Sequence, residues 1–157
     1  MQLSDNTKRY YNDLSDDFYF ELLSPHQEDM NSSNNCSLVC KVVEKKTGAT
    51  YLVTGDTESD RWNSIVRYFG SALPSAVLAA PHHGSRNGIT ETAIQHISPH
   101  TVIVSAGVNN KYGHPHVEAV NLFRRYAQVW YQTNYGQGQS LRTEVTGISV
   151  NTYLFTV

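Results

Sequence analysis

Ala80-Pro81-His82-His83-Gly84-Ser85 directly follows the short apolar run Ala76-Val77-Leu78-Ala79-Ala80. The run is brief, holds Val and Leu, and stops at a proline, which is the pattern of a buried strand. Two imidazoles therefore stand at the carboxyl end of a strand, where open α/β sheets carry their ligands. Upstream, Tyr51-Leu52-Val53-Thr54-Gly55-Asp56 is a similar unit ending in a carboxylate. Downstream, the strand-like Thr101-Val102-Ile103-Val104-Ser105 leads to the loop Asn109-Asn110-Lys111-Tyr112-Gly113-His114-Pro115-His116. Three strand ends thus deliver Asp, His-His and His, the composition of a metal site or of the edge of one.

Around these ends the chain reads as α and β together. Residues 1–17 are polar and read as a loose or helical lead-in; residues 18–157 read as a single domain. Strands are expected over 18–23, 37–44 and 49–54, with Lys45-Lys46-Thr47-Gly48 as a hairpin turn whose glycine takes a positive φ. Residues 26–35 form a polar Asn- and Ser-rich loop, too hydrophilic to be buried. Helical spacing runs over 59–69, with Trp62, Ile65, Val66 and Phe69 on one face. Thr90 caps a second helix that Ser98-Pro99 ends. A third spans 117–126, with Val120, Leu122 and Phe123 inward. A strand at 129–132 and two more near 140–145 and 147–155 complete the chain. Strand pairs come first, and strand-loop-helix units follow.

At 157 residues the chain is long enough for one ordinary core. A net charge of −2 gives no global basic field for nucleic acid. A mean hydropathy of −0.42, and no run approaching the ~20 apolar residues of a membrane span, predict a soluble protein. The first six residues have neither a positive nor an apolar signal region. With Cys36 and Cys40 read as reduced residues on one face of a strand, a cytoplasmic location is expected.

Each candidate has a bland reading beside the chemical one. Asp56 could simply cap the helix that follows it. His82 and His83 are neighbours, so in an extended segment they point to opposite sides, and one ligates while the other packs or orients. Gly84 would let backbone approach a ligand, and Ser85 could donate a hydrogen bond. His114, stiffened by Pro115, is a surface histidine or, with Tyr112 and Asn110, a group that holds a phosphate oxygen. His26, His96, His100 and His116 have weaker claims.

Taken in order, Asn35-Cys36-Ser37-Leu38-Val39, Leu52-Val53-Thr54-Gly55-Asp56, Pro81-His82-His83-Gly84-Ser85 and Tyr112-Gly113-His114-Pro115 resemble the metallo-β-lactamase-fold domain of ComEC-type competence proteins. The likeness runs from about residue 18 to residue 133. It implies an α+β fold, the αββα sandwich of two similar halves, and a metal-dependent hydrolase acting on phosphodiesters or nucleic acid, as in DNA uptake. Zn or Mn is the implied cofactor, in a two-metal site. The resemblance assigns Asp56 as a bridging metal ligand and one of His82 and His83, with His82 favoured, as the late histidine ligand. His114 becomes an active-site residue, with Tyr112 and Ser85 beside it.

The family's first ligand motif, His-x-His-x-Asp-His, is absent from this sequence. The similarity is therefore to the C-terminal half of that domain. Asp56 and one or two histidines fall short of the three or more ligands that a catalytic zinc needs. A lone half would also leave one sheet face uncovered. Three accounts follow: an N-terminal-half partner chain completes a split enzyme, two copies self-associate, or the chain is a remnant or non-catalytic interaction module. A purely structural role for His82 and His83 at a strand end is the remaining alternative.

Overall fold

The computed structural model describes residues 9–11, 14–26, 29, 32–147 and 149–156. Parts of the lead-in (1–8, 12 and 13) and of the 26–35 loop (27, 28, 30 and 31), with residue 148 between the last two strands, lie outside the described residues.

Four strands in the middle of the chain, β4 (Thr50–Val53), β5 (Val77–Ala79), β6 (Thr101–Val104) and β7 (Val129–Gln132), pair side by side and parallel. Their register sets Leu52, Leu78, Val102 and Trp130 in one row. Parallel neighbours need crossovers. Three helices supply them: α1 (Ser59–Phe69), α2 (Glu91–Ile97) and α3 (Val117–Tyr126). Right-handed crossovers between strands that never change direction of travel put every helix on one face. Contacts of α1 with α2 and of α2 with α3 agree with that layer.

On the amino-terminal side, β1 (Arg9–Tyr11), β2 (Phe18–Ser24) and β3 (Val39–Glu44) extend the sheet with antiparallel pairs. All seven strands lie in sequence order. The β3–β4 turn is the expected hairpin, with Gly48 at φ 74°. Mixed strand pairing with helices makes the class α+β, as the sequence predicts.

The core lies between the helices and the sheet. Leu52, Leu78, Val102, Trp62, Ile65 and Phe123 are all fully buried there. The Trp62 indole N–H also donates to the Gly88 carbonyl at 2.7 Å, tying α1 to the loop after β5. Thr90 caps α2, its hydroxyl accepting from Ala93 N–H at 3.1 Å. Two further strands, β8 (Gln139–Thr146) and β9 (Ser149–Thr156), form a separate antiparallel hairpin. Thr143 and Val145 of that hairpin approach Phe18, Val42 and Tyr51 across a cavity of about 330 Å³. Among the described residues no helix is long and apolar enough to cross a membrane.

Three expectations change. Arg9–Tyr11 is a strand paired to β2, where the sequence reads a loose or helical lead-in. The 26–35 loop is not wholly exposed: His26 and Asp29 are buried. Asp29 lies 3.0 Å from the buried Arg61 guanidinium of α1, and it accepts the His26 backbone N–H at 2.7 Å. A buried carboxylate is tolerable only with such a partner, and neither half of the pair announces the other in sequence. Cys36 precedes β3 instead of lying on it, and its Sγ is 3.0 Å from the Asp29 carbonyl.

Candidate active site at the parallel strand ends

The loop after β4 presents Asp56. Gly55 turns it with φ 53°, and a Cβ there would stand 2.8 Å from the Ser37 Cβ, so only glycine fits. The Ser37 hydroxyl accepts the Asp56 backbone N–H at 2.9 Å. Asn35 Oδ1 accepts the Glu58 N–H at 3.0 Å, and Asn34 Nδ2 donates to the Glu58 carboxylate at 2.9 Å. The polar segment before β3 is thus a brace for both acids. Asp56 is not the helix cap: Glu58 occupies that position ahead of α1.

After β5 the chain makes a tight turn. His82 and His83 have φ of 48° and 56°, both left-handed, where the sequence reading has them extended and opposed. Such backbone costs roughly 1–2 kcal/mol per non-glycine residue. Fixed bonds hold it in place. His82 N–H donates to the Gly55 carbonyl, Ser85 N–H to the His82 carbonyl and His116 N–H to the Gly84 carbonyl, each at 2.9 Å. Gly84 makes room for Pro115, not for a ligand as first expected; a Cβ there would lie 2.7 Å from the Pro115 Cβ.

The imidazoles are oriented by these constraints. His83 Nδ1 lies 2.7 Å from the Ser105 carbonyl, which only accepts, so the proton is on Nδ1. Its Nε2 then faces Asp56 Oδ1 at 3.5 Å. His82 Nδ1 stands 3.4 Å from Glu58 Oε1. Both separations exceed the roughly 2.7–2.9 Å of a charge-assisted hydrogen bond. A nitrogen lone pair facing a carboxylate needs either a proton or a cation between them. That donor set fits Zn or Mn in chemistry, with the backbone-anchored Nδ1 usual for a ligating histidine. Among the described residues no three such donors surround a single point.

His114 comes from the loop after β6 and is buried. Asn110 clamps it twice, accepting its N–H at 2.9 Å and donating to its carbonyl at 2.8 Å; Asn134 donates to the same carbonyl at 2.9 Å. Its ring lies 5.6 Å from that of His82, 6.3 Å from His83 and 4.8 Å from His116. Burial, and then repulsion by His116, His82 and His83, hold the His114 imidazole below its usual range, with Asp56 opposing. It is therefore neutral at pH 7 and able to accept a proton.

Of the predicted residues, Asp56, His82, His83 and His114 converge. Tyr112 lies at the rim, largely exposed, its ring nearly parallel to His114 at 5.7 Å. Ser85 is buried, and its hydroxyl is 3.4 Å from the Asn87 N–H within its own loop. His96 and His100 bond locally to Thr92 and Thr101, away from the cluster. Glu58 was missed, although an acid two residues beyond Asp56 at a strand end was a usable signal. His116 was set aside, yet it packs on His114 and its Nδ1 accepts the Arg86 N–H at 3.0 Å.

No known family's sequence profile matches the chain. It is 37% identical over 111 residues to ComE operon protein 3 of Bacillus subtilis (strain 168), an alignment covering 71% of this chain and 14% of that protein. It is 38% identical over 101 residues to Competence protein ComA of Neisseria gonorrhoeae, covering 64% of this chain and 14% of that one. It is also 26% identical over 116 residues to the Uncharacterized protein YcaI of Escherichia coli (strain K12), covering 74% and 15%. The chain therefore spans about one seventh of the length of these relatives. Two of them are named for competence, which suggests a competence-related family.

Proposed function

We propose that this chain carries the later half of a metallo-β-lactamase-type, metal-dependent phosphodiester hydrolase that works on DNA in competence. The carrying observation is the meeting of Asp56, His82, His83 and His114 at the ends of three adjacent parallel strands, on backbone held in a costly conformation. Strain kept at a cluster of ionisable groups supports a site used for chemistry.

In this reading Asp56 and His83 hold Zn or Mn, and Glu58 and His82 stand at the adjoining edge. The remaining donors come from outside these residues, from the other half of the fold or from another copy of this chain. The metal would supply Lewis acidity, activating water and polarising a phosphoryl oxygen. The Ser105 carbonyl keeps His83 in one tautomer. Neutral His114, fixed by Asn110 and Asn134, takes the proton of the attacking water and, as imidazolium, passes it to the leaving oxygen. Tyr112 shields His114 from water and orients the phosphoester, and Ser85 holds the histidine turn.

The test is the zinc and manganese content of the purified chain, compared with Asp56→Ala combined with either His82→Ala or His83→Ala. We expect bound metal in the natural chain, raised by a partner half, and lost in the pair that contains the true ligand. A chain that takes up no metal even in excess, alone or with a partner half, would overturn the hydrolase and leave an interaction module.

A further inference from the structure

His114 has two sides. One faces the cavity of about 470 Å³ that it shares with His83 and Tyr112. The other lines a separate groove of about 730 Å³, between α3, β7 and the start of β8. Arg124, Trp130, Tyr131, Asn134, Tyr135 and Gln139 line this groove. None of the reasoning about the metal site uses any of them except Asn134.

The lining has a definite chemistry. Three aromatic rings stand in it, and no carboxylate does. Arg124 places its guanidinium 5.8 Å from the centre of the Trp130 ring. Its neighbour Arg125 is paired with Glu91 at 3.2 Å, and Arg86 with Glu118 at 3.5 Å, whereas among the described residues no carboxylate pairs with Arg124. Tyr135 is 70% exposed, an aromatic ring offered to solvent at the mouth. Asn134 donates to the His114 carbonyl, while its Oδ1 is buried with no hydrogen-bond partner among the described residues.

We propose that this groove is a binding site for single-stranded nucleic acid. A base stacks on Tyr135 and Trp130, and Arg124 takes the adjoining phosphate. The strand then runs past His114 toward the histidine cluster. Aromatic faces combined with an unpaired cation bind strands of any sequence, because every base has a π-face and every linkage a negative charge. The absence of carboxylates from the lining matches that charge. The inference rests on the phosphodiester reading only for the direction of the strand; the groove itself is built by this chain alone.

The experiment is fluorescence anisotropy with a labelled single-stranded DNA of about 12 nucleotides, in a chelator, so that neither metal nor cleavage enters. We expect Tyr135→Ala to weaken binding by about ten-fold or more, with Tyr135→Phe close to the natural chain. Arg124→Ala should lower the slope of log affinity against log salt by about one phosphate contact. An abasic strand of equal length should bind the natural chain as poorly as the normal strand binds Tyr135→Ala. Thermal unfolding of each variant confirms that the fold is kept. No binding by the natural chain, equal binding by Tyr135→Ala, or equal binding of the abasic strand would overturn the proposal. Equal displacement by an acidic peptide would overturn it in favour of a protein groove. Strand binding without any metal uptake would sink the hydrolase and keep the groove; metal uptake without strand binding would do the reverse.

Discussion

The two faces of the seven-stranded sheet are finished to different degrees. On the helical face, Leu52, Leu78 and Val102 are fully buried under Trp62, Ile65 and Phe123. On the other, β8 alternates between half-buried and exposed positions, and Tyr153, Leu154 and Phe155 of β9 stay 46–52% exposed. The difference follows from connectivity. Each helix is tied at both ends to strands it must cover, whereas the hairpin strands pair only with each other and stand off across a cavity. The site grows from the finished side: its loops are those that join parallel strands to the helices. The groove is lined by α3, by β7 and by the start of β8.

Substitutions can break or sharpen this contrast. Trp62→Ala should have the largest effect, about 3–5 kcal/mol lost in denaturant unfolding, because it empties core volume and orphans the Gly88 carbonyl. Gly84→Ala should come next, at about 1–3 kcal/mol, since a methyl group must push into Pro115 from a left-handed backbone. It should also loosen the histidine turn, read as broadened His82 and His83 imidazole resonances. Leu154→Ser should be the smallest, within about 0.5 kcal/mol. A hairpin substitution that cost as much as Trp62→Ala would make the hairpin a true core layer and end the contrast.

What sequence could show was what is local. The Gly48 hairpin, the Thr90 cap and the order of strand-loop-helix units depend on residues a few positions apart, and all are present. The meeting of strand ends was also legible, because alternating strands and helices imply parallel neighbours whose ends lie together. The conformation of His82 and His83 was not. It is imposed by the Gly55 carbonyl, the Ser105 carbonyl and Pro115, which belong to three other segments. Asp29 and Arg61 were hidden for a related reason. A charge is read as exposed until its partner is found, and the partner here lies on the buried face of a helix whose pattern looks apolar. Glu58 and His116 fell between these cases, each two residues beyond a candidate, Asp56 or His114, that drew attention away.

The in-order sheet has a consequence for how the chain comes to be folded. No strand has to thread between two that are already paired, so the sheet can grow at one edge as the polypeptide emerges, each helix closing over the strand just laid down. The functional groups arrive in the same sequence: Asp56 first, on a loop its own brace already holds, then the two histidines that lean on Gly55, and last His114. The cluster is complete only with Pro115 packed against Gly84, so the histidine turn depends on a loop supplied by the next strand along the chain.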